Sequence, residues 1–311
     1  MLEHGGRLNA AARRFGIARE QWLDLSTGIA PWPYPLPAVP AEVWQRLPEE
    51  DDGLDAAVQA HFGAPGLIVP GSQWAIGTVP RLLPPGRVAM PTPIYAEHLA
   101  AWRGAGHRIV GWDEAADYAV LCQPNNPTGQ RWTHAELLER AKTLRLFVCD
   151  EAFLDMTPEE TLIDAADNVL VLRSLGKFFG LAGLRIGFVF ASKEWLTRLR
   201  ERLDPWAVSH PARWAARLAL ADRCWQQEQR QRLIASSARL ARLLCAHGLE
   251  NAGAALFCYV PTQRAEAIYT QLARRGILVR RFDAPPALRF GLPANEAQWQ
   301  RLEQALISCT D

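Results

Sequence analysis

The chain has 311 residues, and its 34 lysines and arginines against 33 aspartates and glutamates give a formal net charge of +1 at pH 7. Such a balance argues against a large binding face for nucleic acid or another polyanion. Charge or proline interrupts every apolar stretch before the length of about 20 residues that a membrane span needs. The N-terminus lacks the pattern of a signal peptide, and the six cysteines form no Cys-x-x-Cys pair. We therefore expect a cytoplasmic protein with reduced thiols and without a metal site or disulfide framework.

Lysine is unusually rare in this chain. Only Lys142, Lys177 and Lys193 occur among the 34 basic residues, although lysine is normally a common amino acid. Each of the three is therefore a candidate for a role that arginine cannot fill.

Short apolar runs alternate with helical patterns through the first two thirds of the chain. Residues 28–48 hold six prolines, which favours an extended arm or linker. Thr133 and Glu136 have the spacing of a capping box, which opens a predicted helix. Strands are predicted at 66–69, 87–90, 108–111, 119–122, 146–149, 169–172 and 186–190, and helices at 73–83, 95–105 and 134–144. Continuous apolar strands separated by helices indicate a mostly parallel sheet covered on both faces.

The last third changes to long helices followed by a smaller set of strands. Helices are predicted at 193–202, 211–246, 263–274 and 295–307, and strands at 255–260, 278–281 and 288–291. Asn295 and Gln298 form a second capping pair. The fold class is therefore α/β, with three predicted parts: an arm over 1–48, a large domain with a seven-stranded, mostly parallel sheet over 49–210, and a connecting helix with a smaller C-terminal α+β domain over 211–311.

Three polar segments follow successive predicted strands, where open α/β sheets bind their ligands. They are residues 124–129 (PNNPTG), 150–153 (DEAF) and 174–187, which runs from SLGK to GLRIG. Taken singly, the first has the sequence of a turn, Asp150 could be a helix cap and Lys177 a solvated charge. Arg185 lies between two glycines in apolar sequence, where a buried arginine would need an anion.

The order and spacing of these segments resemble the pyridoxal-phosphate enzymes of aspartate aminotransferase fold type I, the class I and II aminotransferase family. Asn126, Asp150, Lys177 and Arg185 follow one another at intervals of 24, 27 and 8 residues. The resemblance implies pyridoxal 5'-phosphate as the cofactor, a small-molecule substrate and a homodimer with active sites at the subunit interface.

The resemblance also implies roles around the cofactor ring. Lys177 would bind the cofactor covalently and later move protons, which requires a primary amine. Asp150 would keep the pyridine nitrogen protonated, and Asn126 would donate to the phenolic oxygen. His98, in the segment PIYAEH, would stack on the ring, with Tyr95 as the weaker candidate and a helix-surface histidine as the alternative.

A second set of residues is implied for the cofactor phosphate. Ser174 and Arg185 would bind it, the arginine through a two-pronged ion pair. Gly71, Ser72 and Gln73 form a strand-to-helix turn whose backbone amides would add a phosphate site.

Substrate binding is implied for Asn126 and for residues near both ends of the chain. Arg289 would bind the α-carboxylate, the alternative being a surface ion pair at a strand end. His4, Gly5 and Arg280 are candidates for a second anion, with Arg281 as the further candidate. The alternative is an unstructured N-terminus and a solvated arginine pair.

Finer features resemble one branch, the threonine-phosphate decarboxylases of cobalamin biosynthesis. They are the segments 3–7 (EHGGR), 23–29 (LDLSTGI), 276–282 and 288–293. The implied reaction is decarboxylation of L-threonine O-3-phosphate to (R)-1-amino-2-propanol O-2-phosphate. Histidinol-phosphate aminotransferases share the cofactor motifs, so transamination of histidinol phosphate or another amino acid is the alternative. A non-catalytic binding or regulatory protein is the third reading.

Three residues depart from the family pattern. Phe153 replaces a tyrosine that bonds the ring oxygen in many relatives. Leu47 replaces a tyrosine that commonly reaches the phosphate in the partner subunit. Ala30 stands where the decarboxylase pattern usually has asparagine, which removes one substrate contact.

Overall fold

A computed structural model describes residues 4–310, with side chains to residue 307. The chain divides into two compact units. The larger unit comprises Pro33–Asn126 and Arg131–Glu228, and the smaller comprises Met1–Trp32, Pro127–Gln130 and Gln229–Asp311.

Helices and strands alternate along the chain. The helices are α1 (Leu8–Phe15), α2 (Ala41–Gln45), α3 (Leu54–Phe62), α4 (Ser72–Thr78), α5 (Ala96–Gly104), α6 (His134–Ala141), α7 (Lys193–Arg200), α8 (His210–Ala221), α9 (Arg223–Ala246), α10 (Ala265–Arg274) and α11 (Glu296–Thr310). The strands are β1 (Leu23–Leu25), β2 (Leu67–Val69), β3 (Arg87–Met90), β4 (Arg108–Gly111), β5 (Tyr118–Cys122), β6 (Leu146–Asp150), β7 (Val169–Ser174), β8 (Gly187–Phe190), β9 (Ala252–Ala254), β10 (Phe257–Pro261), β11 (Ile277–Asp283) and β12 (Pro286–Gly291).

The larger unit is built on a seven-stranded sheet in the order β2-β8-β7-β6-β5-β3-β4. Only β8 runs against its neighbours, so the predicted seven-stranded, mostly parallel sheet is confirmed. Strands β5 and β6 are buried at every position, which is typical of parallel strands covered on both faces. Helix α6 begins with the predicted capping box of Thr133 and Glu136.

The smaller unit contains a five-stranded sheet in the order β1-β11-β12-β10-β9. Its three longer strands were expected, but β1, β9 and helix α1 were not. Strand β1 has three residues and pairs in parallel with β11, more than 250 residues away. A local sequence pattern carries no signal for such a distant pairing.

The predicted helix 211–246 is wrong, because the chain leaves helical geometry at Asp222. The carboxylate of Asp222 accepts a hydrogen bond from the Trp225 amide and thereby caps α9. The side-chain amide of Gln226 donates to the carbonyls of Ala219 and Leu220, the last turn of α8. These contacts satisfy the two helix ends that the break creates.

The unit boundaries differ from the predicted division at 48 and 210. Residues 33–48 and 211–228 belong to the larger unit, and the arm contains the short helix α2. Arg213 helps to hold α8 in the larger unit, because its guanidinium binds Asp52 through two hydrogen bonds of 2.6 and 2.9 Å.

The described residues contain no helix that combines the length and apolar character needed to cross a bilayer.

Candidate active site

Three neighbouring parallel strands bring the predicted cofactor residues to one edge of the larger unit's sheet. Cys122 at the end of β5 pairs with Asp150 at the end of β6. Asp150 in turn pairs with Leu172, two residues before Ser174 ends β7. Because the strands are parallel, the segments that follow them leave the sheet at the same edge.

Asp150 is a buried carboxylate with two hydrogen-bond partners. Its side chain is 7 % exposed, and its Oδ1 accepts a hydrogen bond from the Ala152 amide. His98 Nε2 lies 2.9 Å from Oδ2. A carboxylate only accepts, so this contact places the imidazole proton on Nε2. The other ring nitrogen, Nδ1, is buried without a hydrogen-bond partner among the described residues, which suits an unprotonated nitrogen.

The structure places His98 in the interior, at 0 % exposure. Its hydrogen bond supports the carboxylate of Asp150, and its stacking on the cofactor ring stays a prediction. The sequence spacing indicates that His98 is buried, because His98 and Trp102 lie one helical turn apart on the same face of α5.

Tyr95, the weaker candidate for stacking, lies at the start of α5 and is half-buried. Its hydroxyl donates to Gln73 Oε1 over 3.3 Å. Burial, with the nearby charges of Glu97 and Asp150, raises the pKa of Tyr95 to about 12. The ring therefore remains a neutral phenol at physiological pH.

Cys122 completes a buried group with His98 and Asp150, whose potential ligand atoms lie within 4.8 Å of one another. Burial, and then the charge of Asp150, raises the pKa of the Cys122 thiol well above its usual range. A neutral thiol is a poor metal ligand. We therefore interpret the group as support for Asp150. The sequence predicted only a reduced thiol here and no role beside Asp150.

The turn before α4 and the guanidinium of Arg185 form a cradle in the larger unit. Gly71 has φ +77°, and a Cβ at this position would lie 3.0 Å from Arg185 Nη2. Ser72 begins α4, so its amide belongs to the unpaired first turn of the helix. Arg185 itself adopts left-handed backbone geometry, with φ 55°. A non-glycine residue held in this region is uncommon and typical of ligand sites.

Other predicted phosphate residues lie near this cradle. Ser174 ends β7, and its hydroxyl accepts a hydrogen bond from the Gly176 amide over 3.1 Å. Gln73 donates through its side-chain amide to Glu97, so its side chain supports α5 and only its backbone amide is available for an anion.

The three lysines occupy different environments. Lys177 is half-buried in the turn after β7, with its Nζ 5.7 Å from the centroid of the Phe153 ring. Lys142 is exposed and paired with Glu139, and Lys193 is exposed at the start of α7. Only Lys177 lies at the edge of the sheet that carries Asp150.

A buried ion-pair network, absent from the predictions, ties two of the strand ends together. Arg173 of β7 is 2 % exposed. It donates to Glu151 over 3.1 Å and to Asp155 over 2.9 Å. Glu151 directly follows Asp150, and Arg173 directly precedes Ser174, so the network fixes the spacing of two predicted cofactor residues.

The smaller unit places two predicted substrate residues side by side. Arg280 of β11 and Arg289 of β12 are directly opposite in the antiparallel pair, so their side chains leave the same face of the sheet. Arg289 is 8 % exposed and donates to the Ser26 carbonyl over 3.2 Å.

The N-terminal residues join this region through Ser26. A Cβ on Gly5 would lie 2.2 Å from the Ser26 carbonyl oxygen, so only glycine fits there. The Gly6 amide donates to the Ser26 hydroxyl. His4, Gly5, Ser26 and Arg280 line one cavity of about 160 Å³.

Arg281 also lines this cavity, but acidic residues hold it. Its guanidinium forms ion pairs with Glu266 and Asp283 and lies 5.5 Å from the centroid of the Tyr269 ring. Arg280 is therefore the better candidate of the two for an added anion.

The departures from the family pattern lie in three different environments. Phe153 is buried next to Lys177. Leu47 is 60 % exposed in the larger unit, whereas Ala30 is buried in the smaller one.

The sequence is similar to known proteins over most of its length. Residues 64–306 match the family described as aminotransferase class I and II. The chain is 49 % identical to a threonine-phosphate decarboxylase from Pseudomonas aeruginosa, over 99 % of this chain and 98 % of that protein. A histidinol-phosphate aminotransferase from Ruminiclostridium cellulolyticum is 33 % identical over 54 % of this chain and 49 % of that protein.

Among solved structures, a histidinol-phosphate aminotransferase from Sinorhizobium meliloti in complex with pyridoxal-5'-phosphate has a TM-score of 0.85 at 23 % identity. The match covers 100 % of this chain and 98 % of that chain. At this identity the likeness shows the fold.

Proposed function

The chain belongs to the class I and II aminotransferase family, and we propose that within it the chain is a pyridoxal-phosphate-dependent threonine-phosphate decarboxylase. The reaction converts L-threonine O-3-phosphate to (R)-1-amino-2-propanol O-2-phosphate, a precursor in cobalamin biosynthesis. The likeness to the Pseudomonas aeruginosa decarboxylase extends over both chains almost completely at 49 % identity. The likeness to the Ruminiclostridium cellulolyticum aminotransferase covers 54 % of this chain and 49 % of that protein at 33 % identity.

The structural observation that carries the proposal is the pair of arginines on the smaller unit's sheet. Like charges directly opposite in a sheet repel each other, so a ligand with two anionic groups stabilises the arrangement of Arg280 and Arg289. L-Threonine O-3-phosphate has a carboxylate and a phosphate. Arg289 would bind the carboxylate, and Arg280 with His4 and the Gly5 backbone would bind the phosphate.

The residues of the larger unit fit pyridoxal phosphate. The cradle of Gly71, Ser72 and Arg185 combines backbone amides with a guanidinium, as a phosphate group requires. Ser174 and the Gln73 amide would add donors. A substitution at Gly71 would bring a side chain against Arg185, which is consistent with space kept for the phosphate.

The cofactor ring would be held by three further side chains. Asp150 would keep the proton on the pyridine nitrogen, and His98 would hold Asp150 in position through the 2.9 Å contact. Asn126 would donate to the phenolic oxygen. Ring stacking would fall to His98 or, as the weaker candidate, to Tyr95.

When bound, pyridoxal phosphate supplies the electron sink that allows a bond at the amino acid Cα to break. Lys177 would hold the cofactor through its primary amine and would later deliver a proton to Cα. Arg289 and Arg280 would hold the substrate by its two anionic groups, in the pose in which the bond to the carboxylate breaks. A small change in this pose would expose the Cα hydrogen instead, which is the alignment for transamination.

Transamination of histidinol phosphate or another amino acid is the second candidate function. The cofactor residues of the larger unit serve either outcome, and the fold matches an aminotransferase at a TM-score of 0.85. Histidinol phosphate, however, has a phosphorylated CH2–O group in place of the carboxylate, so it offers the two arginines one anionic group where L-threonine O-3-phosphate offers two.

We also propose a cytoplasmic homodimer. Large apolar side chains exposed on the larger unit support an interface between copies, namely Trp44, Leu47 and Trp206, each at least 60 % exposed. Light scattering on the purified protein at micromolar concentration should give twice the monomer mass of 34.6 kDa. A monomer mass would contradict the assembly but not the chemistry.

The reaction is tested by incubating the holoenzyme with L-threonine O-3-phosphate and, in parallel, with histidinol phosphate, each with and without 2-oxoglutarate. We expect CO₂ from the first substrate alone, at a rate that does not depend on 2-oxoglutarate. Turnover that requires the 2-oxo acid would establish the aminotransferase instead.

A further inference from the structure

The two arginines of the smaller unit lean in opposite directions along their strands. Arg289 has its guanidinium 5.0 Å from the centroid of the Phe257 ring, and Phe257 pairs with Gly291 at one end of β12. Arg280 has its guanidinium 5.3 Å from the centroid of the Phe282 ring, and Phe282 pairs with Ala287 at the other end. The two cations therefore separate along the sheet although their Cα atoms are neighbours.

A third ring supports this arrangement from the next strand. Tyr259 of β10 is directly opposite Arg289, and it meets the Phe282 ring edge-on, with centroids 5.9 Å apart. Tyr259 is 5 % exposed, so its ring is fixed by packing. Phe282 is half-buried, and its ring contacts both Tyr259 and the guanidinium of Arg280.

We propose that Phe282 is a specificity-determining positioning residue, which holds the Arg280 guanidinium at the distance from Arg289 that an amino acid with a β-phosphate needs. This inference rests on the proposed function, because it assigns the phosphate to Arg280 and the carboxylate to Arg289. Phe282 acts through Arg280 and does not itself contact the substrate.

The physical basis is the attraction between a guanidinium and an aromatic face. It limits the orientations of a long side chain that would otherwise lose much rotamer freedom on binding a ligand. Without the ring, Arg280 loses one of the contacts that orient its guanidinium, and the phosphate must supply more of that ordering. Removing the ring should therefore lower the affinity for phosphorylated ligands and leave the binding of the carboxylate unchanged.

The test compares two ligands that divide the substrate into its anions. 1-Amino-2-propanol phosphate has only the phosphate, and L-threonine has only the carboxylate. Dissociation constants are measured on the holoenzyme from the change in its visible absorbance. In Phe282→Leu we expect the value for the phosphate ligand to rise about five- to thirtyfold, while that for L-threonine changes less than twofold.

Three further variants separate positioning from general damage. Phe282→Tyr keeps the ring and should restore the wild-type value, as should Tyr259→Phe, which keeps the edge contact. Arg280→Gln alone should raise the dissociation constant of 1-amino-2-propanol phosphate. Adding Phe282→Leu to Arg280→Gln should then cause no further loss, because the ring acts through the arginine.

Two kinds of result would overturn the proposal. A Phe282→Leu enzyme that keeps the phosphate preference, or additive losses in the double variant, would overturn the role of Phe282 alone. A wild-type enzyme that shows no preference for the phosphate would overturn both this inference and the proposed function.

Discussion

The two sites of this chain manage their charges in different ways. In the larger unit, Arg173 is enclosed by Glu151 and Asp155, and Asp150 is supported by His98. In the smaller unit, Arg280 and Arg289 lie opposite each other, and each lies over an aromatic ring. Charges balanced by neighbouring ionic or hydrogen-bonding side chains keep a site rigid, whereas a guanidinium that packs on an aromatic ring can bind an anion as well. Variants of the first group should therefore change stability or cofactor binding, and variants of the second should change substrate choice.

The largest effect is expected for Lys177→Ala. Removing the primary amine should eliminate the visible absorbance of the holoenzyme and lower the rate by at least about a thousandfold. Lys142→Ala is the matched control, because that lysine is exposed and paired with Glu139, and its rate should equal that of the wild type. Absorbance that persists in Lys177→Ala would favour the non-catalytic reading of the chain.

Arg173→Leu should be the most destabilising change in the cofactor region. It leaves Glu151 and Asp155 buried without their cation, which costs about 3 to 5 kcal/mol of unfolding free energy. Burial already raises the pKa of Glu151, and losing the arginine raises it further. A carboxyl with a raised pKa binds its proton more tightly in the folded state, so the loss should grow as pH rises above the unfolded value of about 4.5.

Urea unfolding at pH 5 and pH 8 measures this effect. Arg145→Leu is the control, since its side chain is 69 % exposed and lies 3.8 Å from Asp117; it should change stability by less than about 0.5 kcal/mol. If the two variants were equally stable, the buried network would not hold the strand ends together.

His98 variants distinguish support of Asp150 from ring stacking. His98→Phe keeps an aromatic ring but loses the hydrogen bond to a charged group, which is worth about 1.5 to 3 kcal/mol. We expect its dissociation constant for pyridoxal phosphate to rise about 10- to 100-fold, with partial recovery in His98→Gln. Stacking would give the reverse order, with phenylalanine close to the wild type and glutamine weakest.

The smallest effect is expected for Phe153→Tyr, which restores the hydroxyl that relatives have. One added hydrogen bond is worth about 0.5 to 1.5 kcal/mol, so cofactor affinity should rise about two- to tenfold in equilibrium dialysis. Phe153→Leu, which removes the ring without adding a hydroxyl, should not show this gain. Equal affinity in Phe153→Tyr and the wild type would mean that position 153 does not reach the ring oxygen.

Much of the larger unit could be predicted from the sequence because its signals are local. Each buried strand is a continuous apolar run, and Asp150 and Ser174 occupy the last positions of their strands. Thr133 and Glu136 form the predicted capping box. The direction of parallel strands then brings the cofactor residues to one edge of the sheet.

What the sequence did not reveal depends on distant contacts. Strand β1 gains its geometry only from β11, and the opposition of Arg280 and Arg289 requires the register of β11 and β12. The role of His98 was missed because its partner, Asp150, lies 52 residues further along the chain. The break at Asp222 could have been anticipated, since aspartate favours helix starts over helix interiors.

The central claim is tested most directly by the fate of the substrate carboxylate. L-Threonine O-3-phosphate labelled with carbon-13 at the carboxylate is incubated with the holoenzyme in D₂O without a 2-oxo acid and followed by NMR. We predict that labelled CO₂ and bicarbonate together equal 1-amino-2-propanol phosphate, and that this product has one deuterium at the former Cα. Label that stays in unreacted substrate, or that appears on a 2-oxo acid once 2-oxoglutarate is added, would contradict the account.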